Sequence, residues 1–167
     1  DKVLMITTPD GYYGFPKGHV ERKDRGDLLA TAIRETAEET GVKVKPGQIV
    51  EDFRHLAVMN FVRKTSYGKD RPAGPIRKDI HLFMATIPED TRVKVQKKEV
   101  GSYAWLPLEN IKETLQKNLM HKHARRNSTS KRSASKNGSG PHAALRRRNR
   151  LFTDVARAVR RFLRDKT

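Results

Sequence analysis

Apolar residues recur at two periods along this chain, near two and near 3.6, and they divide it into strands and helices. Val3–Thr7 reads as a short strand, and Pro9-Asp10-Gly11 as a turn. Tyr12–Phe15 is a second β-prone piece, and Pro16–Gly26 is a charged loop. Asp27 then caps a helix expected to run to about Thr40, with Leu28, Leu29, Ala32, Ile33 and Ala37 as its apolar stripe. Gly41 is its stop. Strands are expected at Val42–Val44, Ile49–Val62, Asp79–Ile87, Val93–Val95 and Gly101–Trp105, with a loop over Thr65–Arg77. A second helix is expected over Pro107–Asn118, where Leu108, Ile111 and Leu115 fall at helical spacing. Helices and strands do not alternate regularly, so the order predicts an α+β domain and not a parallel α/β fold.

The pattern then lapses. Residues 121–144 are rich in Ser, Asn, Gly and basic residues, and read as a linker with little capacity to form a core. Residues 145–167 regain helical periodicity. Leu151, Phe152, Val155, Ala156, Val159, Phe162 and Leu163 share one face, and Arg157, Arg160, Arg161 and Arg164 crowd the other. Three organisational units follow: a domain over 1–120, the linker, and a basic amphipathic helix.

Charge sharpens this division. The chain of 167 residues carries a net charge of +17, of which +4 falls in residues 1–120 and +13 in residues 121–167. The basic character therefore belongs to the tail. The chain has no Cys, which excludes disulfides and zinc–thiolate sites and agrees with a cytoplasmic setting. No apolar run is long enough to span a membrane, and no secretory signal is visible.

The chemistry concentrates in one helix. Glu35 and Glu38 are three apart and Glu35 and Glu39 four apart, so the three carboxylates share a face. Such a face is either an exposed acidic surface or a cation site, since clustered carboxylates repel unless a cation sits among them. Hard divalent ions favour oxygen ligands of this kind. Arg34, four before Glu38, is placed to brace it with a bidentate pair. Gly18, after Pro16-Lys17, would let backbone approach a phosphate-bearing substrate.

Gly18, Arg34-Glu35, Glu38-Glu39 and Gly41-Val42 together resemble the Nudix box, G-x5-E-x7-R-E-U-x-E-E-x-G-U, where U is bulky and apolar. Two departures stand out. Gly18 to Arg34 spans 16 positions against the pattern's 14, which implies a two-residue insertion. Asp24 stands where the first Glu belongs, and Thr36 stands at the first U. The resemblance implies the Nudix fold, a mixed β-sheet sandwiched between helices, with a further strand ahead of Val3 expected upstream of residue 1. It implies a hydrolase dependent on Mg²⁺ or Mn²⁺ that cleaves a phosphoanhydride bond in a phosphorylated small molecule. By position, Glu35, Glu38 and Glu39 are the expected metal ligands. Glu38 and Glu99 are the expected catalytic residues, Glu99 lying six before Trp105. Lys17, Gly18, Arg34 and Tyr103 are expected at the substrate, and Glu21 is a further loop candidate.

Phe15-Pro16-Lys17-Gly18-His19-Val20-Glu21, Arg34-Glu35-Thr36 and Tyr103-Ala104-Trp105 resemble asymmetric dinucleoside tetraphosphate hydrolases. The Phe-Pro-Lys-Gly stretch is shared with diphosphoinositol polyphosphate phosphatases and with mRNA-decapping enzymes, and a non-catalytic ribonucleoprotein subunit is a further alternative. The tail leaves three readings open: docking on the domain through its apolar face, binding RNA or another polyanion, or lying on an anionic membrane. His121, His123 and His142 read as solvated.

Overall fold

The computed structural model describes residues 2–63, 73–114, 117 and 141–165. Strand β1 (Lys2–Thr7) lies at the centre of a three-stranded antiparallel sheet, between β2 (Tyr13–Gly14) and β5 (Ser102–Pro107). Its register pairs Leu4 with Trp105 and Ile6 with Tyr103 on one side, and Ile6 with Gly14 on the other. Strands β3 (Ile49–Arg63) and β4 (Gly74–Ala85) form a long antiparallel hairpin, with an irregularity between Ile49 and Arg54. Where a mixed sheet was expected, every strand pairing among the described residues is antiparallel. β4 begins inside the expected loop over Thr65–Arg77, and residues 65–72 lie outside the described residues.

Helix α1 (Leu28–Thr40) follows the sequence expectation closely. The Asp27 carboxylate accepts from the N–H groups of Leu29 and Ala30 at 2.9 and 3.0 Å, satisfying two donors the helix itself cannot pair. Gly41 closes the helix at φ 71° and donates to the Ala37 carbonyl. The side of α1 that is fully buried is not the expected Leu28–Ala37 stripe. Thr31, Glu39 and Thr40 are buried, while Leu28 is exposed and Ala32, Ile33 and Ala37 are half-buried.

Two expected strands are absent. Val42–Val44 carries no strand pairing, and Val93–Val95 runs across the end of α1. There the Lys94 N–H donates to the Thr40 carbonyl at 2.8 Å, and the Gln96 N–H to the Glu39 carbonyl at 3.1 Å. The segment satisfies helix-end acceptors, so it cannot also pair in a sheet.

The expected helix over Pro107–Asn118 begins as a 3-10 turn, Leu108–Asn110, and continues helical through residues 111–114. The C-terminal helix spans Pro141–Arg164, starting four residues earlier than its apolar pattern. Of the expected linker, residues 121–140 lie outside the described residues, His121 and His123 among them, and so does the side chain of His142. The helix docks on the domain. Ala156 joins Met5, Leu108 and Ile111 in the buried core, with Val159 and Leu163 packed against them. Phe162 meets Phe53 edge to face, ring centres 5.5 Å apart. The Arg160 guanidinium donates to the Leu108 carbonyl at 3.0 Å. Docking, one of the three readings of the tail, is therefore the arrangement observed. No helix among the described residues is long and apolar enough to cross a membrane.

Candidate active site

The site is a loop laid along α1, with contacts from Thr31 to Glu39. Glu21 leads into a 3-10 turn, Arg22–Asp24, and the next two residues, Arg25 and Gly26, both take positive φ, 51° and 82°. From Asp24 to Arg34 is ten positions. The two residues of the insertion fall between Asp24 and Arg34, a span that opens with this left-handed stretch. Asp24 keeps its place six after Gly18.

Asp24 is buried, and it anchors the loop. Its Oδ2 accepts from the Glu21 N–H at 2.8 Å and from Thr31 Oγ1 at 3.0 Å. Arg34 does reach Glu38, but the bidentate pair expected there falls on Asp24, Nε to Oδ1 at 2.9 Å and Nη2 to Oδ2 at 2.8 Å. The remaining Arg34 contacts run from Nη2 to the His19 carbonyl at 2.9 Å, and from Nη1 to Glu35 at 2.8 Å and Glu38 at 3.1 Å. A guanidinium has five N–H donors, and these five bonds engage all of them. Arg34 is thus an organiser of carboxylates, and its donors are not open to a substrate. Its guanidinium holds the Asp24 carboxyl well below the usual carboxylate range, with the Glu21 N–H adding to the effect. Asp24 in turn pushes Arg34 up.

One carboxylate oxygen each from Glu21, Glu35 and Glu38 lies within 4.8 Å of the others, the one group among the described residues with metal-ligand spacing. Glu35 and Glu38 were expected there, and Glu21 comes from the loop. Glu35 is packed inward, its side chain 12% exposed, while Glu21 and Glu38 are about half exposed. The Glu35 carboxylate lies directly over the Gly18 α-carbon, where any added Cβ would collide with it. Gly18 is a cradle for this carboxylate as well as a close approach for backbone. Lys23 sits between the two exposed members, Nζ at 3.1 Å from Glu21 and 3.2 Å from Glu38. Its pKa is raised by those two hydrogen bonds.

Glu39, expected among the metal ligands, is placed apart from this trio. It is 4% exposed. Its Oε2 accepts the Lys17 N–H at 2.8 Å, and Lys17 Nζ stands 3.6 Å from Oε1. Burial pushes the Glu39 pKa up, the two Lys17 contacts pull it down, and the neighbouring charges of Glu35 and Glu99 push it up again. Glu39 therefore feels the charge of Glu35, a member of the trio, and that of Glu99. Glu99 follows the turn at Gln96 and is exposed. Tyr103 is 43% exposed on β5, opposite Ile6 of β1. Asp24 stands at the place of the pattern's first Glu but was not among the expected site residues. The signal was its unchanged distance from Gly18, with the insertion lying on its other side.

Residues 1–127 match the NUDIX domain family. The bis(5′-nucleosyl)-tetraphosphatase [asymmetrical] of Mus musculus is 32% identical over 109 residues, covering 64% of this chain and 64% of that protein. The chain thus spans just under two thirds of that relative. The Rattus norvegicus protein of the same name is 30% identical over 125 residues, covering 68% of this chain and 75% of the relative. The crystal structure of an Ap4A hydrolase binary complex from C. elegans superposes with a TM-score of 0.51 at 24% identity, over 76% of this chain and 83% of the other, a likeness of fold.

Proposed function

This chain belongs to the NUDIX domain family, and from that premise we propose that it is a divalent-metal-dependent pyrophosphohydrolase acting on dinucleoside polyphosphates. The observation that carries the reading is the convergence of Glu21, Glu35 and Glu38 within 4.8 Å, with Gly18 bare beneath the Glu35 carboxylate. An all-oxygen, all-carboxylate set suits Mg²⁺ or Mn²⁺. A metal bound there supplies acidified water and positive charge against the phosphates. The rest is the work of the chain. Arg34 holds Glu35 and Glu38 at fixed separation, so the ligands need not reorganise on binding. Lys17, paired with Glu39, brings an ammonium to the polyphosphate. Glu38, half exposed at the open side, receives the proton as water attacks phosphorus and the P–O–P bridge breaks to leave two phosphorylated products. Glu99, electrostatically coupled to Glu39, is a second acceptor for that proton. The dinucleoside substrate rests on the relatives named for asymmetric cleavage of bis-nucleosyl tetraphosphates.

The test is turnover with Mg²⁺ on diadenosine tetraphosphate, diphosphoinositol pentakisphosphate and 5′-capped RNA, products separated by chromatography. Diadenosine tetraphosphate should turn over fastest, giving ATP and AMP. Glu38→Gln should lower its kcat by about a thousandfold, roughly 4 kcal/mol. A faster reaction on either other substrate would overturn the substrate class. Undiminished turnover in the variant would overturn the site.

A further inference from the structure

The acidic residues of this chain stop abruptly. Residues 121–153 hold ten Lys+Arg and no Asp or Glu, and only Asp154 and Asp165 interrupt the basic run before the end. A run of this kind is ordinarily a solvated face. The C-terminal helix makes it more specific, because docking fixes which way its arginines point. Val155 and Ala156 are buried and Phe162 packs on Phe53, so Arg157, Arg161 and Arg164 are left on the outer side. They stand at i, i+4 and i+7, one stripe along the helix. Arg150 and Arg146 stand seven and eleven residues before Arg157 in the same helix.

Beside the stripe, between the helix and β3, runs a groove of about 810 Å³. Arg157 and Arg161 line one wall, and Arg54 and His55 the other. Leu56 and Val58, half exposed, lie along it. Asp52, Asp154 and Asp165 also line the groove, Asp154 pairing with Arg157 at 3.2 Å and Asp165 with Arg164 at 3.5 Å. Both pairs are exposed on both sides and worth little, so they do not withdraw the two arginines from a stronger anion.

We propose that this groove and its arginine stripe bind the phosphate backbone of single-stranded nucleic acid. Arginines one helical turn apart match the repeat of a strand's phosphates, and the guanidinium fork pairs with phosphate oxygens. Leu56 and Val58, half exposed on the strand face opposite Phe53 and Ala57, offer apolar surface past the strand to unpaired bases, which a closed duplex stack would leave unused. An anionic membrane fits less well. A helix lies on a bilayer by burying its apolar face there, and this helix has already buried that face in the protein. The surface is separate from the acidic cluster on α1, so the proposal stands or falls apart from the hydrolase reading.

The experiment is fluorescence anisotropy of the full chain with a fluorescein-labelled oligouridine across a salt series, beside the double variant Arg157→Gln/Arg161→Gln. Wild-type affinity should fall steeply with salt, by a log–log slope of about −0.7 per phosphate engaged. The variant should bind at least about tenfold more weakly at low salt, with a slope shallower by about 1.4. An unchanged melting temperature will show that it is folded, since both side chains are exposed. Equal affinity and slope in the two proteins would overturn the proposal, because binding would then reside in the basic run outside the groove. Equal affinity for a duplex of the same length would also overturn it. So would flotation with phosphatidylserine vesicles in the absence of oligouridine binding.

Discussion

The loop and helix from Lys17 to Gly41 and the helix Pro141–Arg164 are both dense in charge, and they handle it in opposite ways. In the first, cations and carboxylates face each other. Arg34 meets Asp24, Glu35 and Glu38, Lys23 meets Glu21 and Glu38, and Lys17 meets Glu39. In the second, apolar contacts hold the element, and Arg157, Arg160, Arg161 and Arg164 are exposed. The first region is an arrangement of fixed distances, where moving one carboxylate changes the site. The second is held by buried area, which no single surface charge controls. A one-atom change should therefore be severe for chemistry in the first region, and a packing change should act on stability in the second.

After Glu38→Gln, the largest effect tests the first half of that contrast. Glu39→Gln keeps the shape of the side chain, and one amide orientation still presents an oxygen to the Lys17 N–H. It removes only the charge. Turnover should fall by about a hundredfold or more, roughly 3 kcal/mol or above, with the fold intact by circular dichroism. The wild type carries a further mark. Burial raises the Glu39 pKa above the ordinary glutamate value. The ionised form is therefore the one lost first as pH falls, and the acid limb of kcat/KM should lie above the ordinary carboxylate range. Adding Mg²⁺ should move that limb down, since a cation favours the carboxylate. Retained turnover, or an acid limb no higher than that of a free glutamate, would remove Glu39 from the machinery.

The same contrast explains what was legible in the sequence. α1 was readable almost to the residue because its signals are local: Asp27 caps, Gly41 stops, and three Glu recur at helical spacing. The carboxylate grouping was half readable. Glu35 and Glu38 share a helix face, but the third member, Glu21, comes from a loop whose path depends on positive φ at Arg25 and Gly26. Periodicity carries no information about such a turn. Val93–Val95 was misread because its partner is a helix-end carbonyl, that of Thr40, 54 residues before Lys94, and apolar alternation does not distinguish that role from a strand. The C-terminal helix announced its two faces plainly. Which surface received the apolar one depended on Phe53, Met5 and Leu108, far away in sequence.

Phe162→Ala probes the second region. It removes the ring that meets Phe53 at an interplanar angle of 81°. The ring is half-buried, so the cost should be about 2 kcal/mol, below the 3–5 of a fully buried aromatic. Urea unfolding should show the lower midpoint, while kcat on the preferred substrate stays within about twofold of wild type. A large loss of kcat without loss of stability would mean that the helix is part of the active site, and the division between the two regions would fail.

The smallest effect is also the most local. Lys23 lies with its ammonium 3.1 Å from Glu21 and 3.2 Å from Glu38, two of the three carboxylates that converge. A divalent cation entering that trio must compete with it. The competition is mild, since Lys23 and both partners are about half exposed and such pairs are weak in water. Lys23→Met keeps the aliphatic stem and removes the charge. The Mn²⁺ dissociation constant, read from the electron paramagnetic resonance of free Mn²⁺ without substrate, should fall by about two- to fivefold. Metal specificity and fold should not change. If affinity instead weakens, Lys23 is holding Glu21 and Glu38 in their binding positions, and the cation in this loop organises its carboxylates as Arg34 does. The sign of that small shift decides whether both cations of the loop serve the site, or one serves it and the other guards it.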